Sequence, residues 1–342
     1  MSRVFVGMSG GVDSSLSAAL LKEQGHEVVG VYMKNWTEDL PGMRCPWADD
    51  LADAKRVAVQ LGIPLHVYDF QADYKHYVVE YMIDEYKAGR TPNPDIMCNQ
   101  EVKFKLFFET AIQNGAEFIA TGHYANTEGG RLIKATDTAK DQTYFLYRVT
   151  SEALEKTLFP LGAMKKSEVR EAAAQRGLST ATKKDSQGIC FVGSVGIKEF
   201  LSQYIETVPG VVIDKDTGQS VGRHDGAIYY TLGQRHGLQV GGGLPYYVVG
   251  KDMEKNEVYV SRSLENEALW RSSVELRDIH WIGRQPSAGA KLQARLRHRG
   301  ALTEVSLEGT SLTFSHPERA ATPGQSVVLY DGDECLGGGF IA

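Results

Sequence analysis

The most constraining stretch of this chain is Met8-Ser9-Gly10-Gly11-Val12-Asp13-Ser14-Ser15, set between a strand-like apolar run, Val4 to Met8, and an amphipathic run, Ser14 to Gln24. Two adjacent glycines let the backbone turn tightly with its N–H groups facing an anion, and the following helix brings a positive dipole end to Ser14 and Ser15. Ser9 and Ser14 add hydroxyl donors. No lysine follows the glycines, which excludes the mononucleotide P-loop, and the third glycine of the dinucleotide fingerprint is missing. The turn that remains suits a pyrophosphate, with Asp13 placed to act as an indirect magnesium partner.

Downstream, the alternation of segments is that of an α/β domain. Val4 to Met8, Val28 to Lys34, Leu65 to Phe70 and Phe118 to Thr121 are short apolar runs. Amphipathic stretches at Ser14 to Gln24, Leu51 to Leu61, Tyr74 to Lys87 and Phe104 to Asn114 separate them. This predicts a doubly wound parallel sheet with helices on both faces, which binds ligands beyond the carboxyl ends of its strands, where the glycine turn lies. Gly129-Gly130 predicts a small hairpin, and Lys165 to Arg176 a helix ended by Gly177. From about Gly210, runs at Val211 to Asp214, Ala227 to Thr231, Tyr246 to Val249 and Glu257 to Ser261 predict a small mixed domain. Six further strands, Val274 to Trp281, Lys291 to Arg297, Leu302 to Leu307, Ser311 to Phe314, Ser326 to Leu329 and Cys335 to Ile341, are spaced as in a β-barrel. A length of 342 residues allows three domains, expected at 1–196, 197–265 and 266–342.

A hydrophobic fraction of 42% with no long apolar run predicts a soluble protein, no membrane partner and, without a signal-peptide segment ahead of the first strand, a cytoplasmic enzyme. Cys45, Cys98, Cys190 and Cys335 form no C-x-x-C pair, so neither a zinc nor a thioredoxin motif is present, and no metal site is expected. In a reducing compartment any disulfide among them is transient. A formal net charge of -6 argues against nucleic-acid binding by bulk charge, yet leaves room for local basic patches. The clearest is Arg295-Leu296-Arg297-His298-Arg299, where alternating basic side chains on a strand would share one face, with Lys291 nearby. Lys183-Lys184 and Arg235-His236 are others.

Two cysteine segments carry candidate chemistry. Thr91-Pro92-Asn93-Pro94-Asp95-Ile96-Met97-Cys98-Asn99 has two X-Pro steps that force a stiff, extended loop, with Cys98 just ahead of a helical run whose N-terminus would stabilise its thiolate. Asp95, three residues earlier, suits an acid, a base or a substrate-orienting group. Lys183-Lys184-Asp185-Ser186-Gln187-Gly188-Ile189-Cys190-Phe191 puts a second cysteine in a polar loop, behind two lysines that would lower its pKa. Thiol chemistry on a substrate activated by ATP is the natural proposal. His123, in Thr121-Gly122-His123-Tyr124, stands at the carboxyl edge of the sheet. Lys140-Asp141-Gln142-Thr143-Tyr144-Phe145 reads equally as a helix-capping loop or as one that grips a polar partner. Cys45 and Cys335 are expected to be structural.

Taken together these residues resemble the tRNA-specific 2-thiouridylases of bacteria and organelles, within the PP-loop ATP pyrophosphatases. The resemblance runs the length of the chain. It rests on Gly7 to Ser14, Asn93-Pro94-Asp95 with Cys98-Asn99 and Lys103-Phe104-Lys105, and Ala120 to Ala125. It also rests on Asp141 to Leu146, Lys184 to Phe191, Thr231-Leu232-Gly233-Gln234-Arg235, Pro323-Gly324-Gln325-Ser326 and Leu336-Gly337-Gly338-Gly339. The resemblance implies ATP-dependent 2-thiolation of the wobble uridine, position 34, of the tRNAs for Lys, Glu and Gln. ATP would adenylate the uracil C2 oxygen and release pyrophosphate. Cys190 would carry sulfur as a persulfide delivered by a cysteine desulfurase or a sulfur-relay protein, and Cys98 would be its partner nucleophile, a transient Cys98–Cys190 disulfide closing the cycle. It also implies nucleotide contacts at Gly7, Met8, Ser9, Gly10, Gly11, Val12, Asp13, Ser14, Met33 and Gly122. The target base falls to Asn93, Pro94 and Asp95, and tRNA to His123, Lys140, Asp141, Gln142, His298, Arg299 and Gln325, with the barrel as an RNA-positioning module.

Two other readings compete. An amide-forming ligase of the argininosuccinate or GMP synthetase kind shares the glycine turn but leaves both cysteine loops unexplained. A non-catalytic RNA-binding or sulfur-carrier protein accounts for barrel and thiols but leaves the intact Ser9 to Ser14 turn without a use.

Overall fold

The computed structural model describes residues 1–39, 45–184, 196–238, 240, 244–287 and 289–342; Cys190 and its motif from Asp185 lie outside them. The first strands are β1 (Arg3–Gly7), β2 (Glu27–Lys34), β3 (Leu65–Asp69), β4 (Phe118–Ala120), β5 (Asn126–Glu128), β6 (Arg131–Ile133) and β7 (Thr157–Leu158). A central group comes next: β8 (Gly210–Asp214), β9 (Ser220–His224), β10 (Tyr247–Asp252) and β11 (Glu257–Ser261). The last six are β12 (Trp270–Trp281), β13 (Lys291–Arg295), β14 (Thr303–Glu308), β15 (Ser311–Arg319), β16 (Ser326–Asp331) and β17 (Glu334–Ile341).

The expected doubly wound sheet is present, parallel, in the order β3-β2-β1-β4-β7. Its central strands are apolar throughout because both faces are covered. Phe5, Val29 and Val31 face a core shared with the helical runs 71–87 and 94–113. Val4, Val6 and Val28 face the core of helices Val12–Glu23, Trp47–Leu61 and Lys166–Gln175. The winding reverses between β1 and β4, so the turns at the ends of these two strands share one crevice.

Both helical runs on the first face contain a π-helical stretch, Lys75–Glu80 and Cys98–Leu106, and both begin earlier than the periodicity suggested. The second begins at Pro94, because the Asn93 side chain caps it and proline occupies its first position. Cys98 is therefore inside a helical run rather than ahead of one. The thiolate stabilisation expected from a helix N-terminus falls off before reaching it.

The central sheet has the order β10-β11-β8-β9, with β8 and β11 parallel. Ala227–Tyr229, expected as a strand, is a 3-10 turn, its first N–H held by Asn256 Oδ1 at 3.0 Å. The last six strands close into an antiparallel barrel in the order β12-β15-β14-β13-β16-β17, sealed by β12 pairing with β17. The Gly129-Gly130 hairpin adds itself to this barrel, β6 lying antiparallel to β17 with Leu132 opposite Cys335.

The basic strand expected at 295–299 is not one. β13 ends at Arg295, and the chain turns, with Arg299 at φ +61°. Arg295 points inward and binds Asp141 at 3.1 Å, the two side chains only 11% and 2% exposed. Arg297 donates to the Arg319 carbonyl at 2.7 Å. The Asp141–Tyr147 segment is thus the dock between sheet and barrel. Thr143 Oγ1 lies 3.2 Å from Tyr330 Oη, Tyr144 Oη donates to the carbonyls of Leu296 and Ser326, and Tyr147 Oη lies 3.1 Å from Ser326 Oγ. Asp141, which the resemblance assigned to tRNA, has its side chain buried in this interface.

Replacing Asp141 by Asn keeps the shape and leaves the Arg295 guanidinium buried without its counter-charge. The expected loss is about 3 kcal/mol, measured by urea unfolding against the parent chain; a loss under about 1 kcal/mol would mean the pair contributes little.

Candidate active site

The crevice between the β1 and β4 turns, closed by the start of the 94–113 run and one turn of the barrel, holds a cavity of about 760 Å³. The glycine turn forms one side of it. Helix Val12–Glu23 begins with Gly11 as its cap, so the N–H groups of Val12, Asp13 and Ser14 have no carbonyl one turn earlier to bond. Gly10 has φ +74°, and a Cβ there would stand 2.3 Å from the Asp50 carbonyl oxygen, so only glycine fits. Ser14 Oγ accepts from Ser9 N at 3.2 Å and donates to the Gly11 carbonyl at 3.1 Å, which fixes the turn.

Of the residues expected at the nucleotide, Gly7, Ser9, Gly11, Val12, Asp13, Ser14, Met33 and Gly122 line the cavity. Met8 does not: its side chain is in the core, 1% exposed. Nor does Gly10, which is buried. A Cβ on Gly122 would meet the Asp13 and Ser14 backbone at 2.8 Å, so this glycine lies flat against the helix start.

Asp13 is held by two partners. Its two carboxylate oxygens lie 2.7 and 2.8 Å from Lys166 Nζ, and Oδ1 also accepts from Tyr124 Oη at 2.9 Å. Lys166 opens the helix Lys166–Gln175, whose start is fixed by Glu168 accepting from Lys165 N at 2.7 Å. The lysine missing after the glycines thus arrives from 153 residues downstream. Asp50 is paired in the same way, with Lys183 at 2.7 Å, and Lys183 also holds Asp53 at 2.6 Å. The carboxylates nearest the turn are each paired with a lysine, and among the described residues no three His, Cys, Asp or Glu side chains gather as metal ligands. Lys183, expected to lower the Cys190 pKa, has its charge offset by two aspartates.

The opposing wall is Pro92, Asn93, Pro94, Asp95 and Lys103. Asn93 Oδ1 accepts from Asp95 N at 3.2 Å. Burial pushes the Asp95 carboxyl above the ordinary range, with Lys103 opposing. Cys98 comes three residues after Asp95 on the same run, 4% exposed, behind the lining rather than in it. Cys45 and Cys335 are buried, and desolvation raises the pKa of both thiols.

His123 lines the cavity but is 9% exposed, its Nδ1 2.8 Å from Thr121 Oγ1 and its ring against Phe104 and Phe159. Burial, with Lys103 adding, holds it well below its ordinary pKa, so it is neutral at pH 7. Lys140, Gln142 and Phe145 line the rim, and the barrel contributes His298, Arg299 and Gln325. His298 packs on Phe145 at 4.5 Å between ring centres. Lys103, Lys140, Lys166, Lys183, Lys184 and Arg299 outnumber Asp13, Asp50 and Asp95 around this space, making a cationic cavity in an acidic protein. Sequence reasoning gives Lys103, Tyr124, Phe145 and Lys166 no role at the site. Only the strong helix start at Lys165–Glu168 signals Lys166.

Comparison with known proteins gives this geometry a family. Models described as tRNA methyl transferase HUP domain, tRNA methyl transferase PRC-barrel domain and Aminomethyltransferase beta-barrel domain match residues 2–194, 198–262 and 271–341. The chain is 48% identical to the tRNA-specific 2-thiouridylase MnmA of Geobacillus thermodenitrificans, over 99% of its own length and 94% of that protein. It is likewise 48% identical to the tRNA-specific 2-thiouridylase MnmA of Bacillus subtilis, over 99% and 95%. Among solved structures, a 4-thiouridine synthetase–RNA complex with bound ATP overlaps 59% of this chain and 50% of its own, at 18% identity and a TM-score of 0.40, too loosely to bear on either fold or function. Nearly half of all positions agree along almost the entire chain, and the protein therefore belongs to the tRNA-specific 2-thiouridylase family.

Proposed function

We propose that this protein is a tRNA uridine 2-sulfurtransferase that uses ATP to replace the C2 oxygen of the wobble uridine, position 34, in the tRNAs for Lys, Glu and Gln. The observation that carries the reading is the meeting in one cavity of a lysine-backed phosphate turn, the Asn93–Asp95 wall ahead of Cys98, and a basic turn of a separate barrel. In this reading the chain works as three parts, 1–196 for chemistry, 197–265 as a central domain and 266–342 for tRNA.

A uracil C2 carbonyl is a poor electrophile, and joining its oxygen to AMP turns that oxygen into a leaving group. The pyrophosphate released is received by the N–H groups at Val12 to Ser14, and a phosphate there competes with Asp13 for Lys166. Asn93 and Asp95 hold the base, and the raised pKa of Asp95 suits a carboxyl that moves a proton. The terminal sulfur of a Cys190 persulfide then attacks C2 and AMP departs. Attack of the Cys98 thiolate on Cys190 Sγ cleaves the S–S bond, leaves sulfur on C2 and closes a Cys98–Cys190 disulfide, which an external thiol reduces. A cysteine desulfurase or a sulfur-relay protein reloads Cys190. Magnesium is proposed to enter with the nucleotide phosphates. Lys140, Gln142, His298, Arg299 and Gln325 are read as tRNA contacts, with neutral His298 and Phe145 as an aromatic face for an unstacked nucleotide. Among the described residues no helix is long and apolar enough to cross a membrane, and the cytoplasm is proposed as the location.

Cys98→Ala and Cys190→Ala are each expected to abolish 2-thiouridine formation while ATP-dependent adenylation continues at least in part. Mass spectrometry of digested tRNA reads the first effect, and radiolabelled AMP transfer the second. Normal thiolation by Cys190→Ala would remove the persulfide route. Lys166→Met is expected to lower kcat/KM for ATP by about a hundredfold while leaving the tRNA Kd unchanged, as loss of a charged phosphate contact implies; equal ATP kinetics in the two proteins would return Lys166 to a structural role. Lys140→Ala and Arg299→Ala should each reduce the slope of log K against log salt by about 0.7, one single-strand phosphate contact.

A further inference from the structure

Two segments have a further connection: Thr231-Leu232-Gly233-Gln234-Arg235 in the central domain and Pro323-Gly324-Gln325-Ser326 before and into β16. Among the described residues, none between 196 and 265 lines the reaction cavity. Both segments nevertheless converge on a single residue, Thr91, which is 8% exposed.

Thr91 N–H donates to the Pro323 carbonyl at 2.9 Å. Its own carbonyl accepts from Gln325 Nε2 at 3.1 Å. Its hydroxyl lies 3.0 Å from the Thr231 hydroxyl. The barrel therefore holds the Thr91 backbone from both sides, and the central domain holds its side chain. Thr231 is itself fixed, its N–H donating to Gln234 Oε1 at 3.0 Å. The same motif is stitched to β10 by Gly233 N to the Val248 carbonyl at 2.8 Å and Val248 N to the Gln234 carbonyl at 3.0 Å. A small cavity of about 110 Å³, lined by Thr231, Leu232, Arg297 and Gln325 among others, opens beside this junction. Packing on that side is incomplete, so the hydroxyl pair has more to do in setting where the two domains meet.

Thr91 leads directly into Pro92-Asn93-Pro94-Asp95. Neither proline has an N–H to anchor it, and each fixes its own φ while restricting the residue before it. A rotation at Thr91 is consequently transmitted, not absorbed, and it arrives at Asn93 and Asp95, which line the cavity and whose mutual hydrogen bond starts the helical run bearing Cys98.

We infer that Thr231 is a positioning residue for the 92–95 wall, acting from the central domain through the Thr91 hydroxyl, so that the central domain sets the target-base wall through a residue that does not itself line the reaction cavity. This rests on the thiouridylase reading above. An RNA lying across the central domain and barrel would load Thr91 from both of its attachments, and the wall would be correctly set only when both are engaged.

The test compares Thr231→Val, which keeps the shape and deletes the hydroxyl, with Thr231→Ser, which restores it, in the full-length protein. Thiolation of unmodified tRNA transcript at saturating ATP is followed together with hydrogen–deuterium exchange of the peptide covering residues 89–99. Thr231→Val is expected to lower kcat about tenfold, the equivalent of one neutral hydrogen bond. The KM for tRNA should stay within about twofold and the melting temperature within about 2 °C. Exchange at residues 91–96 should quicken, and Thr231→Ser should return both kcat and exchange toward the parent values. An unchanged kcat, a loss carried by KM or by melting temperature, or an equal loss in Thr231→Ser overturns the inference. If the parent protein forms no 2-thiouridine, the thiouridylase reading falls and exchange alone decides: unchanged protection at 91–96 in Thr231→Val overturns the positioning role, and faster exchange upholds the mechanical link.

Discussion

The buried ion pair between Asp141 and Arg295 is what makes one site out of two structural bodies. Each charge alone would be costly out of water, and together they are tolerated only in a narrow geometry. Arg295 is the last residue of β13, four positions before Arg299, and Asp141 sits between Lys140 and Gln142. Fixing this pair therefore fixes both rims of the cavity at once: Lys140 and Gln142 from the sheet side, His298 and Arg299 from the barrel. The hydroxyls of Thr143, Tyr144 and Tyr147 repeat the constraint along the same segment, and the hairpin β5–β6 ties the two bodies a second time through β17.

The electrostatics of the cavity depend on where lysines can reach. The glycine turn offers backbone donors but no cation of its own, and Lys166 fills the gap from the start of a distant helix. Asp13 holds that lysine and Asp50 holds Lys183, so each of these two lysines has a carboxylate partner. The surplus of positive charge around the cavity contrasts with a net charge of -6 for the chain, and it favours an anionic ligand there.

Much of the architecture was legible because burial leaves a periodic trace. The strands of the parallel sheet read as apolar runs, the barrel strands as evenly spaced segments, and the glycine turn as a conformation few sequences support. The parts that escaped are those where one residue's partner is remote. Arg295 looks like its neighbours Arg297 and Arg299 in the sequence, and only the position of Asp141 separates a buried structural cation from an exposed one. Lys166 carries no local mark of its contact with Asp13. The π-helical stretches at 75–80 and 98–106 break the 3.6-residue period, which is why Cys98 read as preceding its helix. β9, with the sequence Ser-Val-Gly-Arg-His, has too few apolar positions to alternate. The contacts expected at Asn93 to Asp95, His298, Arg299 and Gln325 came from resemblance, and the fold brings them to one cavity.

In the function proposed above, one cavity first activates a tRNA uridine with ATP and then delivers sulfur to it. The most direct measurement is the stoichiometry of a single turnover on purified unmodified tRNA with ATP, magnesium and a persulfide source, counting AMP, pyrophosphate and 2-thiouridine together. One AMP and one pyrophosphate are expected for each 2-thiouridine formed, with no thiolation when ATP is withheld. ADP and inorganic phosphate as the products, or 2-thiouridine formed without ATP, would contradict it.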